Sequence, residues 1–159
     1  MKMTKKILHG VELIIVLFIT ALSLLNFFSS ADGIGLFGFK GYTVLSDSMS
    51  PTFQKGDYII IRTGNYAALG VSDIATFSYN QYIITHRVSR ATDGGFKTKG
   101  DLNKTEDSSL LNSNNYIGTW LITIPKIGFL LIFLQNPIIY SLIVAAVIVR
   151  ICYGFFAER

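Results

Sequence analysis

Two long apolar runs, one at each end of the chain, limit what it can fold into more than any other feature. The basic residues Lys2, Lys5 and Lys6 precede the first run, residues 7–28, which is broken only by scattered groups such as His9, Glu12, Thr20, Ser23 and Asn26. As a helix this run would reach about 33 Å at ~1.5 Å per residue, enough for a hydrocarbon core of about 30 Å. A cleaved leader ending near Ser29-Ser30-Ala31 is the alternative, but an apolar leader core usually runs only about 7–15 residues, so an anchor is expected. The second run begins at Leu121 and is interrupted by Pro125-Lys126, by Gln135-Asn136-Pro137 and by Arg150. A span over 138–156 starts after a helix-starting proline and leaves Arg150 near its end, free to snorkel. A span over 127–149 would place Gln135, Asn136 and Pro137 in mid-membrane, which costs more. The sequence therefore predicts spans at 7–28 and 138–156, with 127–134 at or near the interface.

Charge sets the orientation. The formal net charge is +4, and it comes from the two ends. Residues 1–28 net +2, residues 121–159 net +2, and residues 29–120 carry eight basic and eight acidic side chains. Basic residues favour the cytoplasmic side, so residues 1–6 and 157–159 are expected inside and the segment 29–137 outside. A neutral middle offers no phosphate-binding face, and nucleic acid is not expected as a partner. Only 15% of residues are charged, against about 25% in an ordinary soluble domain. The single cysteine, Cys152, lies in the second run, so no intrachain disulfide can staple the outer segment.

That outer segment reads as β structure. Residues 42–45, 58–62, 74–79, 82–89 and 116–124 are short runs rich in Val, Ile, Tyr and Thr, separated by turn residues such as Gly56-Asp57, Asn65 and Gly94-Gly95. The expected fold is a mainly β extracytoplasmic catalytic domain flanked by N- and C-terminal transmembrane helices.

Three clusters within the segment could carry chemistry. Ser46-Asp47-Ser48-Met49-Ser50-Pro51 follows a short strand; on turn propensity alone it is just a turn. His86 is the only histidine of the outer segment. Thr98-Lys99-Gly100-Asp101-Leu102-Asn103 comes next, with Glu106 and Asp107 close behind. Serine, histidine and aspartate supply a nucleophile, a base and an orienting group. A serine hydroxyl attacks only when a neighbour takes its proton, an imidazole can do so near neutrality, and a carboxylate on the other ring nitrogen fixes the tautomer.

Taken together, these boxes resemble the type I signal peptidases. Ser-x-Ser-Met-x-Pro at 46–51, Thr-His-Arg-Val at 85–88 and Thr-Lys-Gly-Asp-x-Asn at 98–103 carry the likeness. Gly56-Asp57-Tyr58-Ile59-Ile60, Asp73-Ile74-Ala75-Thr76-Phe77 and Ile124-Pro125-Lys126-Ile127-Gly128 agree with it. Histidine after Thr85, where the common bacterial branch has lysine, is the pattern of the endoplasmic-reticulum type and its relatives in sporulating bacteria. The resemblance implies a membrane-bound serine endopeptidase that removes signal peptides from exported precursors, with no cofactor and no metal. It implies Ser48 as nucleophile, His86 as general base, and Ser46 with the Ser48 N–H as the oxyanion site. Asp107 is the expected orienting acid; Asp101 is the close second, as orienter or as scaffold of its loop. Ile74, Ala75 and Phe77, together with the stretch before Ser46, are the expected substrate-binding edge. Partners would be preproteins and the lipid bilayer, with accessory subunits open, and the branch together with Ile/Asn/Lys-rich usage suggests a Gram-positive cell membrane.

Lys97 and Lys99 are not expected as the base, because a lysine must be buried to be neutral at pH 7 and both are read as lying in a wet loop. The competing reading is a non-catalytic, membrane-anchored β domain for partner binding or surface assembly. It explains the anchors and strands but not the ordered Ser, His and Asp boxes.

Overall fold

The computed structural model describes residues 35–134 continuously, with single residues on either side from Ile14 to Ala21 and from Asn136 to Arg150. Most residues of both expected spans, 7–28 and 138–156, fall outside the described residues. Among those described, no helix is long and apolar enough to cross a membrane.

One antiparallel sheet organises the described chain. Its strands are β1 (Phe39–Thr43), β2 (Tyr58–Thr63), β3 (Ile74–Tyr79), β4 (Tyr82–Thr92), β5 (Gly95–Lys99) and β6 (Tyr116–Ile124). Their spatial order is β1-β2-β6-β3-β4-β5. The central strands follow from β-branched and aromatic residues that pack well on a pleated surface. In β3, the run Ile74-Ala75-Thr76-Phe77 is buried on both faces, as befits a strand paired with β4 on one side and β6 on the other. Gly118 of β6 lies where an added Cβ would strike the Arg62 carbonyl, so the close approach of β2 to β6 there requires glycine.

Two apolar clusters hold the sheet. Met49, Phe53, Ile59, Ile61, Ile74 and Ile117 form one, with Tyr42, Val44 and Trp120 packed against it. Leu69, Ala75, Phe77, Val88 and Leu111 form the other. Burying a side chain of this kind stabilises by about 1.5–3 kcal/mol, and two of the anchors, Met49 and Phe53, belong to the turn that follows Ser48. The chemistry-bearing turn is thus rooted in the core.

A short helix, α1 (Ile127–Leu134), continues from β6. It is apolar on every side, yet only Gly128 and Leu131 are buried. Leu131 packs with Tyr58, beside Leu36, Phe39 and Ile60. Phe129, Leu130, Ile132 and Phe133 are exposed. The buried Asp57 carboxylate fixes the helix entrance, accepting the N–H of Gln54 at 2.9 Å and that of Lys126 at 3.0 Å, with the Lys126 ammonium 3.7 Å away. Burial pushes the Asp57 pKa upward, but those N–H groups and the Lys126 charge outweigh it and hold the carboxyl below its ordinary value.

Candidate active site

The turn 44–57, β4 and the loop after β5 converge on His86. Strand register places His86 opposite Ala75 of β3. The small Ala75 side chain, itself fully buried, leaves room for an imidazole on that face. The ring is buried, and both nitrogens are engaged. Nε2 lies 3.0 Å from Ser48 Oγ, and Nδ1 lies 2.7 Å from Asp107 Oδ2. A carboxylate accepts, so the hydrogen sits on Nδ1, and Nε2 presents its lone pair to the serine hydroxyl. Ser46 Oγ is 3.3 Å from Ser48 Oγ.

Backbone contacts fasten these loops together. The Ser48 carbonyl accepts the N–H of Leu102 at 2.8 Å, and Gly100 comes so near that carbonyl that an added Cβ would lie 2.6 Å from it. The Gly100 box is therefore locked to the Ser48 peptide. Asp107 is held on two further sides. Its N–H donates to the Thr98 carbonyl at 2.8 Å, and the buried Thr98 hydroxyl donates to Oδ2 at 2.6 Å.

Asp101 points elsewhere. Arg87 Nε and Nη2 grip its two oxygens at 2.8 Å each, and the Thr52 hydroxyl donates to Oδ2 as well. Arg87 lowers the Asp101 pKa most; burial opposes this, and the Thr52 hydrogen bond adds to the lowering. The Arg87–Asp101–Thr52 link ties β4 and the Gly100 loop to the turn 44–57. Of the two acids the sequence left open, Asp107 is the one in contact with His86.

An open groove of about 580 Å³ runs past Ser48. One wall is Tyr42–Ser46 with Phe53 and Ile59, and the other is Gln81–His86. Strand β5 pairs only with residues 87–92 of β4, so the first half of β4 is laddered on one side alone among the described residues. The expected substrate residues Ile74, Ala75 and Phe77 are placed away from the groove. They lie on an interior strand, their side chains are 4%, 0% and 0% exposed, and none lines the groove. The stretch before Ser46 does line it. Tyr42, in the groove wall, has a hydroxyl with no partner among the described residues, and burial pushes its pKa up to about 12; it is no candidate for a base.

Thr98 was quoted in its box without a role, and only the fold shows that its hydroxyl meets Asp107. Lys97 and Lys99, expected in a wet loop, both belong to strand β5, and both are half-buried. No group of three or more metal-ligating side chains occurs among the described residues.

No family profile matches the chain. Individual relatives do. Signal peptidase I W of Bacillus subtilis is 31% identical over 121 residues, 72% of this chain and 63% of that protein. The chain is similar to a type I signal peptidase over most of its length. The Signal peptidase complex catalytic subunit sec11 of Neurospora crassa is 33% identical over 107 residues, 58% of this chain and 62% of the relative. Its counterpart in Clavispora lusitaniae is 35% identical over 107 residues, covering 58% and 64%. The chain thus spans somewhat less than two thirds of the length of each of these signal peptidases.

Proposed function

We propose that this chain is a membrane-bound serine endopeptidase that cleaves signal peptides from exported precursors. The observation that carries the reading is the continuous contact from Ser48 Oγ through the His86 ring to Asp107, beside an open groove. In this reading Ser48 Oγ attacks the scissile carbonyl carbon while its proton passes to His86 Nε2. Asp107 holds the tautomer and stabilises the imidazolium. The tetrahedral oxyanion is met by the Ser48 N–H and the Ser46 hydroxyl. Collapse breaks the C–N bond, and Nε2 returns the proton to the leaving amine. Water then attacks the acyl ester with His86 again as base, releasing the acid and restoring Ser48.

The groove suits the task. An extended peptide can lie against the half-open edge of β4, as in strand addition. The apolar walls formed by Val44, Phe53 and Ile84 suit small side chains before the cleaved bond. The exposed apolar surface of α1 favours an interfacial position for residues 127–134, between the spans proposed at 7–28 and 138–156. Both termini are then cytoplasmic and the catalytic domain is outside. Accessory subunits are compatible with this arrangement, given that two relatives are named as subunits of a complex.

The test compares the N-termini of exported proteins in cells carrying the wild-type chain, Ser48→Ala or His86→Ala, with membrane insertion monitored. Both substitutions should leave precursors uncut while the protein still inserts. Full processing by either variant overturns the reading.

A further inference from the structure

We infer that Lys97 is a positioning residue that sets the Asp107 carboxylate against His86; the inference rests on the catalytic reading above. Lys97 Nζ donates to the main-chain carbonyls of Asp107 and Ser108 at 2.9 Å each, and reaches that of Ser109 at 3.5 Å. An ammonium has three hydrogens to give, and here three successive carbonyls converge on one. No carboxylate in the described structure forms an ion pair with this ammonium, so its hydrogen bonds go to the backbone that carries the orienting acid.

The geometry separates this lysine from ordinary surface cations. Its strand neighbour Thr98 binds the Asp107 side chain and N–H, while Lys97 binds the carbonyl side of the same residue and the two that follow. Asp107 is therefore gripped from successive positions of β5. On the other flank, the preceding residue Glu106 is held by Arg90 at 3.0 Å and lies 2.9 Å from the Ser89 hydroxyl. The β4 bulge between Val88 and Arg90 falls at Ser89. The bend 106–109 cannot slide along the hairpin while both clamps hold. Without Lys97, three carbonyls lose their common donor and the bend relaxes, moving Oδ2 relative to Nδ1. A misplacement of about 1 Å can cost on the order of 10²-fold in rate.

The experiment uses the full chain in detergent and a signal-peptide-derived peptide, with kcat and KM measured separately. Lys97→Met should lower kcat by roughly ten- to a hundredfold at unchanged KM, and Lys97→Arg, which keeps a cationic donor, should recover most of it. In an Asp107→Ala background, Lys97→Met should cost less than about twofold more, since residues acting through one contact are non-additive. A loss confined to KM, an equal loss in both backgrounds, or unchanged kcat overturns the assignment. If Lys97→Met does not fold, Lys97→Gln with its single amide donor group is measured in the same cycle, under the same criteria. Ser48→Ala separates the two readings: cleavage that survives it removes the catalytic proposal, whereas cleavage lost with Ser48→Ala but indifferent to Lys97 removes only this one.

Discussion

The two loops that meet at His86 are built on opposite principles. The Ser48 turn, 44–57, is nailed down by apolar side chains, with Met49 and Phe53 only 1% and 3% exposed. Its polar bonds, such as Asp47 to the Lys55 N–H, tidy the surface of a segment the core already holds. The acid loop, 100–109, has no such nail: Leu102 is exposed, and the loop is held by Arg87 on Asp101, Arg90 on Glu106 and Lys97 on three carbonyls. Apolar burial hardly responds to pH or salt, whereas ion pairs respond to both. One site therefore combines a part that fails by losing volume with a part that fails by losing charge.

The largest break in that contrast should come from the Ser48 turn. Phe53→Ala should destabilise the domain by about 3–5 kcal/mol through lost burial and a residual cavity, read by denaturant midpoint, with little change on adding salt. Acid should act the other way round. The folded chain holds Asp101 below its ordinary pKa, chiefly through Arg87, so its contribution is fully present above the unfolded carboxylate value of about 3.9. That contribution fades as pH falls from there through the lower folded value. Amide exchange at Leu102 and Asn103 should thus accelerate below about pH 4, before amides of the Ser48 turn respond. Asp101→Asn should abolish this difference, and equal acceleration of both loops would contradict the contrast. The smallest effect is expected at Glu106, whose ion pair with Arg90 lies at the surface. Glu106→Gln should shift the melting temperature only slightly, and 1 M salt should mask even that shift.

How legible these loops were in the sequence follows from the same contrast. Apolar periodicity announced β2, β3, β4 and β6, because alternating or continuous Val, Ile and Tyr runs leave few other folds. The expected first strand, 42–45, lies partly beyond observed β1 because the chain turns toward Ser48 after Thr43. Strand β5 went unread: Phe-Lys-Thr-Lys shows one apolar residue in four, and its partners are Asp107 and the loop carbonyls. Ser48, His86 and Asp107 could be nominated from ordered boxes, but no spacing rule tells whether Asp101 or Asp107 reaches an imidazole. That choice depends on Arg87, whose fork occupies Asp101. The interior place of Ile74, Ala75 and Phe77 was hidden for a related reason: a run of apolar residues does not reveal whether its strand is an edge or an interior one.

Gly56 and Gly128 are the contact where α1 meets the sheet. A Cβ on Gly128 would lie 2.6 Å from the Asp57 carbonyl, and one on Gly56 would enter the Phe129 ring. The joint has no room for a side chain at either position. If the exposed apolar side of α1 rests on a lipid surface, this close packing against the segment that leads into β2 helps to set the height of the sheet above it.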